Sequence, residues 1–210
     1  MRAPEVGSFE QRIRDGAIWV RTDTLFRLST SPDTEPYWSK RATYRFDDPL
    51  SHFGVLYCAQ DLPTAFAESV LHNARFVNGA YEVSADALGR RILVTYRRSR
   101  FAGPPTHGQH VQEVLLADLT GEKLKPLGLN NDVSAGDDYT GCQTWAGAIH
   151  DSEPLKELDG IRYLSRQHPI GYCYAIFERS DLAREDHCAL NQSEIDDLCA
   201  IFNVARAAPS

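Results

Sequence analysis

The sequence lacks several features that would assign it quickly, and each absence removes a class of function. None of its five cysteines, Cys58, Cys142, Cys173, Cys188 and Cys199, lies two or three residues from another, so no zinc-ligand pair is visible. Their odd count and irregular spacing fit free thiols in a reducing compartment. No apolar run approaches the length of a membrane span, and the N-terminal text MRAPEVGSFEQRIRDG has no apolar core of a secretory signal. A cytoplasmic location with no membrane association is the expectation. There is no GxGxxG or GxxxxGK phosphate cradle, no GxSxG nucleophile elbow and no HExxH zinc motif. His107 and His110, three apart in GPPTHGQH, are read as part of a solvated loop, and no metal is expected.

What is present is ordinary in bulk. The chain has 210 residues, 42% hydrophobic and 24% charged, long enough for one substantial core and short for two. Its 22 basic and 29 acidic side chains leave a net charge of -7, which repels nucleic acid on average. The arginines Arg90, Arg91, Arg97, Arg98 and Arg100 form one basic cluster, read as a solvated strand face with flanking loops.

Periodicity divides the chain into many short strands and a few helices, an α+β arrangement without repeats or linkers. SFEQRIR (8–14) reads as a short helix capped by Ser8, and AIWVRTDTLFRL (17–28) as one or two strands. ATYRF (42–46) reads as a short strand, and GVLYCAQ (54–60) as a strand buried on both faces. Asp61 then caps a helix with Pro63 in its first turn. Leu62, Ala65, Phe66, Ser69 and Val70 form its apolar stripe, and Glu68 lies off that stripe. RRILVTYRR (90–98) reads as a strand preceded by a helical turn, and QEVLLADLTG (112–121) as strand or helix. Residues 122–141 read mostly as loop, and CQTWAGAIH (142–150) as helix. DGIRYLSRQ (159–167) and GYCYAIFER (171–179) form a hairpin around HPIG, and NQSEIDDLCAIFNVAR (191–206) is an amphipathic helix with Cys199 on its packed stripe.

The chemistry-bearing residues stand out as polar interruptions of apolar text. Arg27 interrupts TLFRLS, Arg45 interrupts ATYRF, Tyr57 sits in GVLYCAQ and Ser165 in IRYLSRQ. Each alone reads as an outward-facing side chain on a half-exposed sheet. Together with Glu68 they suit a ligand that joins phosphates, a sugar and a flat ring. Guanidinium groups take phosphate bidentately, a tyrosine offers a stacking face, and a carboxylate stabilises developing positive charge or orients a sugar hydroxyl.

LFRLS, YRFDDP, FGVLYCAQDLPTAFAE and DGIRYLSRQ, in that order, resemble the RES-domain family, named for an arginine, a glutamate and a serine. The resemblance runs from about Thr24 to Phe177, and the whole chain, 1–210, is read as one such domain. It implies an ADP-ribosyltransferase-like fold, a split, mostly antiparallel β core with helices around an NAD cleft. It places Glu68, Arg45 and Ser165 in catalysis, and Arg27, Arg45, Tyr57, Glu68 and Ser165 around NAD as substrate. It implies a toxin that degrades NAD by phosphorolysis or hydrolysis at the nicotinamide–ribose bond, with inorganic phosphate as a possible co-substrate. The alternatives are a mono-ADP-ribosyltransferase acting on a protein and a non-catalytic nucleotide-binding module. The implied partner is an Xre-type antitoxin, and with no helix-turn-helix evident in this chain, DNA contact would belong to that partner. Two points depart from or compete with the pattern. Thr43-Tyr44 stand where many members have glycines, and Ser152 in HDSEP rivals Ser165.

Overall fold

The computed structural model of the chain describes residues 1, 3–5, 7–99 and 112–207. Helix α1 (Phe9–Gly16) leads into β1 (Ile18–Arg21) and β2 (Phe26–Ser29). After a long loop come β3 (Val55–Ala59) and α2 (Leu62–Phe66), which widens into a π turn over Ala67–Leu71. Strands β4 (Arg75–Val77) and β5 (Ala80–Ser84), helix α3 (Ala85–Gly89) and strand β6 (Ile92–Arg98) follow. Then come β7 (Glu113–Asp118), α4 (Asp132–Ala135), α5 (Thr140–Asp151), β8 (Gly160–Leu164) and β9 (Tyr172–Phe177). The described chain closes with β10 (Leu182–Ala189), α6 (Gln192–Ile201) and β11 (Val204–Ala207).

Eight strands form one sheet in the order β1-β7-β8-β9-β3-β2-β6-β10, antiparallel throughout except for the parallel pair β7–β8. A second sheet, β11-β5-β4, lies apart from it. The architecture is α+β, dominated by the large antiparallel sheet with helices around it. Among the described residues no helix is long and apolar enough to cross a membrane.

Strand β3 carries apolar side chains on both faces because both faces are covered. Val55 and Tyr57 pack with the cluster that holds α1 and α5, where Phe9 meets Trp145 edge-on at 5.7 Å. Leu56 and Cys58 face the opposite cluster with Val94 and Tyr96. A third cluster joins α2 and the π turn to α6 and the small sheet through Phe66, Leu71, Val83 and Leu198.

The feature that makes room for a site is a fork in the large sheet. β3 pairs with β9 along its whole length, Val55 to Ala59. With β2 it shares a single register pair, Phe26 with Ala59. Beyond that pair the two strands part, and main-chain groups of β3 that a neighbour would have covered face the gap. Ser39 caps one end of the gap by exchanging two backbone hydrogen bonds with Val55, at 2.9 and 3.0 Å.

Local departures from the sequence reading have physical causes. ATYRF is not a strand: Thr43 and Tyr44 donate their amides to the Asp47 carboxylate, both at 3.0 Å, and the chain turns instead. α1 begins after Ser8, but Ser8 does not cap it, since its hydroxyl donates back to the Glu5 carbonyl. α6 ends at Ile201, where Asn203 adopts φ +51°, and the residues beyond it pair with β5 in parallel. Residues 122–141 include the short helix α4 within the expected loop. Ser69 leaves the apolar stripe because the π turn shifts the phase of the helix, and it lines the cleft. The basic cluster is not uniformly solvated: Arg98 pairs with Asp159 in the interior and Arg91 turns into the cleft. β4, β5 and β10 have no counterpart in the sequence reading. β10 is largely exposed and polar, and its pairing with β6 through a bulge between Arg184 and Asp186 defines it.

Candidate functional site

A cleft of about 290 Å³ opens at the fork, close to the smallest ligand pockets. Arg27, Arg45, Tyr57 and Glu68 all line it, from β2, the 42–47 turn, β3 and the π turn. Its other charged lining side chains are Arg91 and Arg166, so four guanidinium groups face one carboxylate. On a chain of net charge -7 this is a local reversal of sign suited to an anion.

Arg27 takes the place of a missing strand neighbour. Its Nη1 donates to the Tyr57 carbonyl at 3.0 Å, across the gap between β2 and β3. Its Nε pairs with Glu35 Oε1 at 2.9 Å. Glu35 is almost fully buried, and its other oxygen accepts from the Tyr37 amide at 2.8 Å and the Tyr96 hydroxyl at 2.9 Å. Burial pushes the Glu35 carboxyl up, but the Arg27 guanidinium and the donors around it outweigh that and hold its pKa below the ordinary value. Burial likewise works against the Arg27 charge, and Glu35 and Tyr96 more than restore it.

Arg45 is 7% exposed and donates through Nη1 to the carbonyls of Val133 and Gly136, at 3.2 and 3.0 Å. Its guanidinium lies over the Tyr139 ring, 4.6 Å from the centroid. The Asp47 carboxylate sets this aim. Completely buried, it accepts from the amides of Thr43 and Tyr44, the Ser39 hydroxyl and the Tyr57 hydroxyl, each at 3.0 Å. Thr43-Tyr44 therefore form the turn before Arg45 without glycine. Tyr57 presents its ring to the cleft while its hydroxyl is engaged by Asp47 and by the Phe46 amide at 2.9 Å. Burial and the adjacent Asp47 push that phenol well above its ordinary pKa, so it stays a donor.

Glu68 reaches the cleft because the π turn rotates it away from the packed side of the helix. Asp61 starts that helix as expected, accepting the Thr64 amide at 2.8 Å. Glu68 Oε1 accepts from Ser165 Oγ at 2.5 Å and from the Gln167 amide at 3.2 Å. Among the described residues, none donates a hydrogen bond to Oε2. Ser165 is 2% exposed and is not part of the cleft wall. Its hydroxyl also accepts from the His168 amide at 2.8 Å, so it sits behind Glu68 and holds it. Ser152 lies at the C-terminal end of α5, away from these residues, with no partner for its buried hydroxyl among the described residues.

Sequence reasoning missed Glu35, Asp47 and Arg91. Asp47 lay inside the quoted YRFDDP and Glu35 between two prolines, but neither position signals a buried acceptor. Cys58 and Cys173 also line the cleft. Burial drives both thiols up, with the Glu68 charge adding to the effect at Cys173, which disfavours a thiolate nucleophile. Among the described residues no group of three or more His, Cys, Asp or Glu side chains converges as a metal site. His107 and His110 lie outside the described residues.

The family model described as the RES domain matches residues 21–196. The chain belongs to the RES-domain family. Comparison with curated proteins finds no match. Among solved structures, this RES domain is similar to a chain in the crystal structure of the M. tuberculosis MbcT-MbcA toxin-antitoxin complex. The superposition has a TM-score of 0.60 and covers 92% of this chain and 98% of that one, at 16% sequence identity. At that identity the likeness concerns the fold.

Proposed function

We propose that this RES domain is the toxin of a toxin–antitoxin pair and breaks the bond between nicotinamide and ribose in NAD. The observation that carries this reading is the convergence of Arg27, Arg45, Tyr57 and Glu68 on one electropositive cleft, with Ser165 holding Glu68 from behind. Nicotinamide leaves a cationic ring as a neutral base, so the ribose carbon passes through an oxocarbenium-like state. The carbon–nitrogen bond breaks, its electron pair goes to the ring nitrogen, and an oxygen nucleophile bonds the ribose carbon and loses its proton. Such a step needs negative charge beside the sugar more than a strong protein nucleophile. Glu68, fixed through Oε1, directs Oε2 to that role or to a ribose hydroxyl. Arg27 and Arg45 bind phosphoryl oxygens, and the Tyr57 ring packs against the base.

Product analysis of NAD incubated with the purified protein, with and without orthophosphate, tests the reading. Wild-type protein should release nicotinamide, and Glu68→Gln should do so about 10²-fold more slowly or less. A phosphorylated ADP-ribose in the phosphate arm marks phosphorolysis, and ADP-ribose in both arms marks hydrolysis. Label on a protein would replace degradation with ADP-ribosyl transfer. Glu68→Gln consuming NAD as fast as wild type would remove Glu68 from the mechanism. The toxin-antitoxin complex of the structural neighbour supports an antitoxin partner; the family resemblance implies that it is Xre-type, and if it occludes the cleft the complex should lose NAD consumption.

A further inference from the structure

Arg91 has no place in the family pattern, yet its surroundings resemble those of a binding residue. It follows α3 and enters the cleft wall beside Ser69, His72 and Asn73. Four other guanidinium groups in or near the sheet are answered by carboxylates, Arg27 by Glu35, Arg98 by Asp159, Arg162 by Asp118 and Arg166 by Asp137, while Arg45 and Arg179 rest on two or three main-chain carbonyls each. Among the described residues, Arg91 has no carboxylate partner. Its Nη2 donates to the Ser69 carbonyl at 3.1 Å, and its Nε is buried with no hydrogen-bond partner. A buried donor left unpaired is destabilising unless something in the functioning protein meets it. Arg91 and Arg27 line the same cleft, and burial and the Arg27 charge both act against the Arg91 charge.

We propose that Arg91 and Arg27 form a phosphoryl-binding subsite at the β2–β6 end of the cleft, distinct from the Arg45 end. Glu35 answers Arg27 alone, so the two guanidinium groups with one carboxylate retain a net positive charge, and an oxyanion bridging them removes the repulsion and meets the free donor. The ligand chemistry is a phosphoryl group. It belongs either to the pyrophosphate of a dinucleotide or to free orthophosphate. The choice of those two sources rests on the reading of the cleft as an NAD site, whereas the anion preference does not.

Isothermal titration of wild type, Arg91→Gln, Arg91→Lys and the control Arg90→Gln with ADP, orthophosphate and adenosine tests the subsite. Arg91→Gln should weaken ADP or orthophosphate binding by about tenfold or more, a typical loss for a charge-assisted hydrogen bond. Adenosine binding should not change. Weaker ADP binding assigns the subsite to a pyrophosphate, and weaker orthophosphate binding with ADP unchanged assigns it to a free acceptor anion. Arg91→Lys keeps the charge and loses the fork, so its affinity should fall between wild type and Arg91→Gln, and it carries the test if the glutamine variant does not fold. Arg90 already pairs with Asp86 on the surface, and Arg90→Gln should bind as wild type does. Equal affinities for Arg91→Gln, Arg91→Lys and wild type would overturn the proposal, as would wild-type protein that binds neither anion. Arg91-dependent ADP binding in a protein that leaves NAD intact would keep the subsite and reject the NAD reading.

Discussion

Ser165 Oγ donates to Glu68 Oε1 over 2.5 Å, tying the loop between β8 and β9 to the π turn 97 residues earlier in the chain. The bond uses one oxygen of the carboxylate of Glu68, which lines the cleft. In the proposed reaction the serine would act through the glutamate, as a positioning residue.

We therefore predict that Ser165→Ala lowers NAD consumption by about 10²-fold, the scale of a misplaced catalytic group. Binding of the intact dinucleotide should change much less, so kcat should fall more than KM rises. Ser152→Ala should leave both unchanged. Steady-state kinetics of the two variants decides, and equal effects would remove the special role of Ser165.

Glu35 and Arg27 form a buried pair, with side-chain exposures of 1% and 25%. Glu35→Gln should destabilise the fold by about 3 kcal/mol, because it leaves a charged guanidinium without its counterion. The folded pKa of Glu35 lies below its ordinary value, so its stabilising contribution is complete above the unfolded pKa. It is lost as pH falls through the depressed folded value. Urea denaturation across the acid range should show wild type losing more stability than Glu35→Gln over that window.

Asp47 gathers four donors and shapes the turn that carries Arg45. Asp47→Ala leaves them unpaired in the interior and should destabilise by about 2–4 kcal/mol, with loss of anion binding. Tyr57→Phe keeps the ring and removes only the hydroxyl. It should bind NAD within about threefold of wild type, whereas Tyr57→Ala should bind at least about tenfold more weakly. Thermal melts and titrations of the three variants separate the turn from the ring.

Gly171 closes the β8–β9 loop against α2. A Cβ there would stand 2.1 Å from Thr64 Oγ1, and Thr64 is completely buried. Gly171→Ala should push the loop that carries Ser165 away from the helix that carries Glu68. We predict a destabilisation of about 1–3 kcal/mol and a fall in kcat. A fully active, equally stable variant would show that this contact does not set the Ser165–Glu68 geometry.

Local sequence determined the parts whose cause is local. A nearly continuous apolar run wrote β3 into GVLYCAQ, the Asp61 side chain announced the start of α2, and two apolar runs around HPIG specified the β8–β9 hairpin. The placement of Glu68 off its helix's apolar stripe was legible for the same reason, since it follows from helical spacing. Only the tertiary structure decided what those residues do to one another. The ATYRF strand dissolves because a buried carboxylate takes its amides, and Glu68 turns inward through a π turn that periodicity does not encode. Arg27 reaches its roles only because β2 and β3 part after a single pair, and Arg91 joins the cleft from an element far away in sequence. Hydrogen bonds, ion pairs and charge repulsion act over a few ångströms of space, so residues separated by tens of positions acquire their chemistry only when the fold brings them within that range.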